Sequence, residues 1–173
     1  MIKRVLIGLV VLLSIVTFIF YYKLGGNQPL EFRMATHPEF YIAGEYFKGR
    51  YNDPKAEKLF FDAKARAERS KDATLMIINY PSEEKGKVIK QFIGAAMPQK
   101  PDTLTEQVEV RRVPSQQIIF TTINSHNFVM PTPEEVRAEA LEFAKGKGVE
   151  IDSATWETYI SERELKVIFP VKE

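Results

Sequence analysis

The stretch TWETYISERELKVIFPV, Thr155 to Val171, determines how the end of the chain folds. Residues 154–160 and 165–171 are rich in β-branched and aromatic side chains, and the charged segment between them is typical of a turn. The stretch therefore predicts a β-hairpin. Because successive side chains of a strand point to opposite faces, we expect Glu157 and Tyr159 on one face and Trp156 on the other.

The hairpin closes the second of two segments that have the same order of predicted elements. In the first segment, a strand over residues 40–48 precedes a helix that Asp53 caps and Pro54 begins, and two more strands follow. In the second, strand material over 108–124 precedes a helix that starts at a capping box over 132–135, and the hairpin follows. The order strand, helix, strand, strand thus occurs twice, over about residues 31–98 and 106–172. It predicts an α+β fold in which one antiparallel sheet of tandem βαββ repeats carries two helices on one face.

An apolar segment precedes the repeats. Residues 5–22 contain no charged side chain and follow a short tail, residues 1–4. As a helix they would span about 27 Å, close to the ~30 Å of a membrane hydrocarbon core. We expect an uncleaved, single-pass transmembrane anchor, because the run is longer than the apolar part of a signal peptide and Tyr21 and Tyr22 suit the membrane interface. A cleaved signal peptide is the alternative.

Charge and composition complete the domain assignment. Lys3 and Arg4 outweigh Lys23, which predicts that the N-terminus lies inside and the domain outside the cytoplasm. Residues 23–30 contain two adjacent glycines and predict a short flexible linker, so that 31–173 form one soluble domain.

Several classes of site are excluded or disfavoured by composition. The net charge of +1 gives no electrostatic case for nucleic-acid binding. The chain has no cysteine, which excludes disulfides, thiolate metal sites and cysteine nucleophiles. The two histidines, His37 and His126, are far apart and have no acid at ligand spacing, so we expect no metal site and no cofactor.

Three stretches resemble a known family. They are KGRYNDP at 48–54, where the first helix begins, MIINYP at 76–81, where a strand ends, and the closing hairpin at 156–171. Their order and spacing resemble the GyrI-like (gyrase-inhibitor-like) small-molecule-binding family, which includes effector-binding domains of AraC-type and MerR-type transcription regulators. The resemblance covers about residues 31–172. Here a membrane segment stands in the place of the regulators' helix-turn-helix domain, and Phe60 and Phe61 stand near the position of a tryptophan that is frequent in the family.

The resemblance implies a ligand site in the groove between the two helices, with Glu157 and Tyr159 in it. An ionised carboxylate among aromatic rings would attract a partly apolar, cationic ligand. Burial would instead raise the pKa of Glu157 and suit it to general acid–base chemistry, with Tyr159 donating a hydrogen bond to an oxyanion, as the resemblance to hydrolase relatives implies. Further candidates for the pocket are Tyr51, Tyr80 and Phe128.

Three functions remain open at this point. They are binding of a small molecule, hydrolysis of small reactive molecules by Glu157 and Tyr159, and contact with a partner protein at the membrane. A cavity of several hundred Å³ in the groove would favour a small ligand. A filled groove with an exposed apolar patch would favour a protein partner.

Overall fold

In the computed structural model, the described residues form three helices and eight strands; they are 2–26, 28–82, 88–101, 108–126, 128–161 and 163–172. The elements are α1 (Ile2–Lys23), β1 (Arg33–His37), β2 (Phe40–Gly49), α2 (Pro54–Arg69), β3 (Thr74–Tyr80), β4 (Ile89–Met97), β5 (Glu109–Val113), β6 (Gln116–Asn124), α3 (Pro133–Lys147), β7 (Thr155–Tyr159) and β8 (Glu164–Pro170).

The two helices of the domain begin where the sequence predicts. The Asp53 side chain accepts a hydrogen bond from the Lys55 amide at 2.9 Å at the start of α2. At the start of α3, Thr132 and Glu135 each bond the other's backbone amide and form a capping box. Helix α3 ends at Gly148, whose φ of 71° is the left-handed conformation that favours glycine. Local side-chain chemistry therefore sets these helix boundaries.

The described strands form one antiparallel sheet in the order β1-β6-β8-β7-β3-β4-β2-β5. Each strand of the first half has an equivalent in the second half: β1 and β5, β2 and β6, β3 and β7, and β4 and β8. Equivalent strands lie at equal distances from the centre of the sheet. A pseudo-twofold axis therefore passes between the central strands β3 and β7. The predicted α+β fold of two repeats is confirmed, and each repeat gains a strand at its start: β1 pairs with β6 and β5 with β2, so each half supplies an edge strand to the other.

Both helices lie on one face of the sheet, as predicted. Helix α2 packs on β2, β3 and β4, and α3 packs on β6. Their buried side chains recur at helical spacing: Leu59, Ala63 and Ala67 in α2, and Val136, Ala140 and Ala144 in α3. The apolar stripe of each helix thus covers its own half of the sheet.

The opposite face of the sheet curls around a second core. Trp156, which is 5% exposed, packs there against Phe40 with ring centroids 5.5 Å apart. The connection from β1 to β2 is short and brings His37 to 6.0 Å from the same indole ring. Gly44 and Gly94 are paired between β2 and β4, where a Cβ on either would collide with the partner strand's backbone. The two glycines therefore permit the close backbone approach that the curl needs.

Helix α1 extends from the domain with exposed apolar side chains. Its segment Leu6–Lys23 is long and apolar enough to cross a membrane, and a signal sequence near an N-terminus would have the same properties. The start of the predicted linker is an ordered turn, because the amides of Leu24 and Gly26 donate to the carbonyls of Phe20 and Tyr21 at 2.9 and 3.0 Å.

Candidate functional site

Glu157 and Tyr159 lie together on β7 at the centre of the sheet, on the face that carries the helices. Glu157 is paired with Ile77 of β3 and with Val167 of β8. Ile77 packs under α2 and Val167 under α3. Strand β7 therefore forms the floor of the groove between the two helices, and both side chains remain only partly buried there.

A chain of hydrogen bonds holds the Glu157 carboxylate. The Asn79 Nδ2 donates to Oε1 at 2.8 Å, and the Tyr159 hydroxyl donates to Oε2 at 3.1 Å. Asn79 is held in turn, because the Gln91 Nε2 donates to its Oδ1 at 2.7 Å. The chain crosses β4, β3 and β7 and fixes the direction of the carboxylate.

Burial and neutral hydrogen-bond donors set the electrostatic environment of Glu157. Within the described part of the chain, no lysine or arginine forms an ion pair with this carboxylate. Burial raises the pKa of Glu157, and the hydrogen bonds from Tyr159 and Asn79 oppose that rise. Burial, and then the charge of Glu157, raise the pKa of the Tyr159 phenol, which therefore stays a donor. A proton or a cation at Glu157 would relieve this uncompensated charge.

Aromatic side chains stand beside the carboxylate. Phe60 of α2 packs edge-to-face on Tyr159, with ring centroids 5.4 Å apart. Phe61 packs on Phe60 at 5.7 Å and is exposed. Tyr51 is also exposed and lies close enough to Tyr159 to contribute to its raised pKa. Aromatic faces next to an unpaired carboxylate are the features by which proteins bind organic cations.

Two further predicted pocket residues, Tyr80 and Phe128, have other described partners. Tyr80 follows Asn79 on β3 and so points to the opposite face, where its hydroxyl accepts a hydrogen bond from the Arg111 Nη1 at 2.9 Å. Phe128 lies in the loop between β6 and α3, where its ring stacks on His126 with centroids 5.1 Å apart. Tyr80 therefore does not face the groove, the described contacts of Phe128 lie within its own loop, and a role of either residue in ligand binding stays a prediction.

Sequence reasoning did not identify Asn79 or Gln91. Asn79 is visible in the sequence as a polar residue at the end of an apolar strand, but it lies 78 positions from Glu157. Only the register of β3 against β7 brings the two side chains together. Among the described residues, no group of three or more histidines and acids is placed to hold a metal ion.

A cavity of about 430 Å³ lies on the other face of the sheet, away from Glu157. On β6, Phe120 and Thr122 alternate with the Ile119 and Ile123 that pack under α3. The cavity is lined by Gln28, Pro29, Glu31, Arg33, Phe120, Thr122 and Asn124. A ligand held by Glu157 would therefore lie in the groove between the helices and not in this cavity.

Comparison with known proteins establishes the fold. No family model matches the chain, and no curated protein matches its sequence. The solved C-terminal domain of EcmrR is similar in structure, with a TM-score of 0.63 and 11% identity, over 84% of this chain and 99% of that one. EcmrR in its complex with DNA gives a TM-score of 0.64 and 12% identity, over 99% of this chain and 69% of that one. A hydrolase from Listeria innocua gives 0.57 and 16%, over 82% and 92%. The chain therefore has the fold of the EcmrR C-terminal domain.

Proposed function

We propose that the domain binds a small, partly apolar cation in the groove between α2 and α3, with Glu157 as its anchor. The observation that carries the proposal is a carboxylate at the centre of the sheet whose only described partners are neutral donors. A bound cation would supply the missing charge. Each contact between the cation and an aromatic face would add about 0.5–2 kcal/mol.

The fold supports this reading. Glu157 lies beside the pseudo-twofold axis, so a ligand there would contact both halves of the domain. The chain shares this fold with the C-terminal domain of EcmrR, and its motifs resemble those of GyrI-like small-molecule-binding proteins. Membership of that family is part of the proposal.

The proposal links binding to protonation. A protonated Glu157 carries no charge, so a cation should bind most tightly when the carboxyl group is ionised. Because burial raises the pKa of Glu157, affinity for a cation should increase as the pH rises through that pKa and then level off. A neutral ligand of the same shape should show no such increase.

The experiment compares ligand-induced thermal stabilisation in the full chain, purified in detergent. The panel pairs lipophilic cations with neutral molecules of the same shape. We expect cations to stabilise the wild type and to lose most of that effect in Glu157→Gln. The matched control is Glu150→Gln, which changes an exposed acid paired with Lys172 and should behave as wild type. Equal stabilisation of Glu157→Gln and wild type would remove Glu157 from the site.

Hydrolysis of small reactive molecules is the second candidate. The raised pKa of Glu157 and the Tyr159 hydroxyl 3.1 Å from its Oε2 favour it. Glu157 would take a proton from an attacking water, and the Tyr159 hydroxyl would donate a hydrogen bond to the developing oxyanion. Turnover of electrophilic esters or strained rings should then disappear in Glu157→Gln and fall in Tyr159→Phe. If a broad panel of such substrates shows no turnover, binding alone remains.

The proposal also places the domain at a membrane, with α1 as an uncleaved anchor and the domain outside the cytoplasm. The length, apolar composition and exposed side chains of α1 support the anchor, and Lys3 and Arg4 support the orientation. A C-terminal alkaline phosphatase fusion should be active, and a C-terminal green fluorescent protein fusion should be dark. Protein of full mass in the membrane fraction would support the anchor, whereas loss of the first residues would identify a signal peptide.

A further inference from the structure

We infer that the loop between β6 and α3 enters the lipid interface beside α1, with the Phe128 ring as its inserted side chain. This inference rests on the proposed membrane anchor. It adds that the domain has a fixed orientation relative to the bilayer. The partner is the phospholipid surface itself.

The end of α1 and this loop are in direct backbone contact. The amide of His126 donates to the carbonyl of Leu24, the first residue after α1, at 3.0 Å. Gly25 has a φ of 85° and lies against the same loop, since a Cβ there would be 3.0 Å from the carbonyl oxygen of Asn124. A larger residue at Gly25 would be both strained and crowded. The loop is therefore held where α1 ends.

The length of α1 places this contact at the depth of the lipid headgroups. Residues 5–22 would cross about 27 Å of a hydrocarbon core that is ~30 Å thick. Each headgroup layer adds roughly 6 Å, and Leu24 lies about 3 Å beyond Tyr22 along a helix axis. Leu24 and the His126 amide bonded to it would therefore sit within the headgroup layer.

The loop presents one apolar ring at this level. Phe128 is 88% exposed, the highest value among the large apolar side chains that the structure describes. The ring is positioned and not merely loose: it stacks on His126 at an interplanar angle of 12°, and the Val129 amide closes a turn by donating to the His126 carbonyl at 2.9 Å.

Aromatic side chains are favoured at the membrane interface because a large apolar ring can leave water there while the backbone around it stays hydrated. Tyr21 and Tyr22, which are exposed at the end of α1, would lie at a similar depth. The Phe128 ring would extend this aromatic belt from the anchor to the domain. Two attachment points in place of one would stop the domain from pivoting freely about α1.

The absence of cysteine from the chain allows single-site labelling in the full-length protein. We would attach a polarity-sensitive fluorophore to Phe128→Cys and reconstitute the protein in phosphatidylcholine vesicles that contain nitroxide lipids. The matched control is Phe61→Cys, an exposed phenylalanine on α2. Leu13→Cys, an exposed position in the middle of α1, tests the anchor itself.

We expect the emission maximum of the label at position 128 to shift to shorter wavelength, and nitroxides near the headgroups to quench its fluorescence. The label at position 61 should show neither the shift nor the quenching. The label at position 13 should be quenched by nitroxides deep in the bilayer. If position 13 is quenched while position 128 behaves like position 61, the loop inference is overturned and the anchor stands. If position 13 is not quenched, the anchor fails and the loop inference fails with it.

A second variant provides an independent measurement. Phe128→Trp keeps a large ring at the position, and brominated lipids should quench its fluorescence strongly. The native Trp156 is buried in the core and should give a constant background. Quenching no greater than in the wild type would contradict the insertion of residue 128.

Discussion

The central strands β3 and β7 occupy equivalent positions on either side of the pseudo-twofold axis, yet they present different chemistry to the helices. Strand β3 places Leu75 and Ile77 under α2, and both are almost fully buried, at 5% and 6% exposure. Strand β7 places Glu157 and Tyr159 at the matching positions of the floor, and both are partly exposed. Ile77 and Glu157 are direct neighbours in the register.

This difference separates what stabilises the fold from what the site requires. Ile77 shows that an apolar side chain packs well at this position of the fold. A carboxylate at the corresponding place lowers stability, because burial disfavours its charge. Departures from the simplest packing choice concentrate at functional sites. The asymmetry between the halves therefore supports a binding or catalytic role for Glu157.

The largest effect on stability is expected for Ile77→Glu, which places a carboxylate on both central strands. A second carboxylate would face Glu157 across the axis, and two adjacent buried charges cannot both remain ionised cheaply. We expect the free energy of unfolding at pH 7 to fall by more than about 3 kcal/mol. Part of the loss should return at pH 5, where protonation removes one charge. Urea unfolding at the two pH values measures both effects.

Two substitutions at the same position act as controls for that loss. Ile77→Leu keeps the apolar volume and should cost less than about 1.5 kcal/mol. Ile77→Gln adds polarity without charge and should show no recovery at pH 5. Similar losses for Ile77→Glu and Ile77→Gln at both pH values would mean that Glu157 exerts no charge effect at this position.

For Glu157→Gln we expect a smaller change in stability at pH 7, and one of opposite sign. The folded-state pKa of Glu157 is raised above its ordinary value of 4.5, so the wild type loses stability as the pH rises from the unfolded-state pKa through the folded-state pKa. Glutamine does not titrate. Between pH 4 and pH 7 the stability of the variant relative to wild type should increase, because only the wild type loses stability as Glu157 ionises. A difference that stays constant over this range would mean that burial does not perturb Glu157.

The smallest effect is expected for Tyr159→Phe. Loss of the donor to Oε2 should raise the pKa of Glu157 further and leave its ionised form with one hydrogen bond fewer. We expect the affinity for a lipophilic cation at pH 7 to fall by about twofold to tenfold, because one hydrogen bond contributes about 0.5–1.5 kcal/mol net. The control, Tyr41→Phe, removes a hydrogen bond to Glu39 and should leave the affinity unchanged.

Much of the fold could be predicted from local sequence. Asp53 and the capping box at Thr132 fixed the starts of α2 and α3, and strand alternation placed Trp156 on the face opposite Glu157. Such signals depend on residues a few positions apart. The edge strand β1 was missed because it is short and largely exposed, so it has little apolar pattern.

The contacts of the site could not be predicted, because they depend on the order and register of the strands. Asn79 reaches Glu157 only because β3 pairs with β7, and Gln91 reaches Asn79 only because β4 pairs with β3. Tyr80 was placed in the groove by its position near a strand end, whereas the alternation of β3 turns it to the other face. Phe128 follows β6, and the contact of its loop with the end of α1 depends on how the domain packs against that helix, which local sequence does not show.

The most direct measurement is a titration of the Glu157 carboxyl carbon by nuclear magnetic resonance, assigned with Glu157→Gln. Without ligand, the carboxyl group should titrate above the ordinary glutamate pKa of 4.5 because of burial. With a lipophilic cation bound, its pKa should move down, since the cation stabilises the ionised form. A Glu157 that titrates at or below 4.5, or whose pKa does not respond to any cation, would contradict the proposal that this partly buried carboxylate binds a cation.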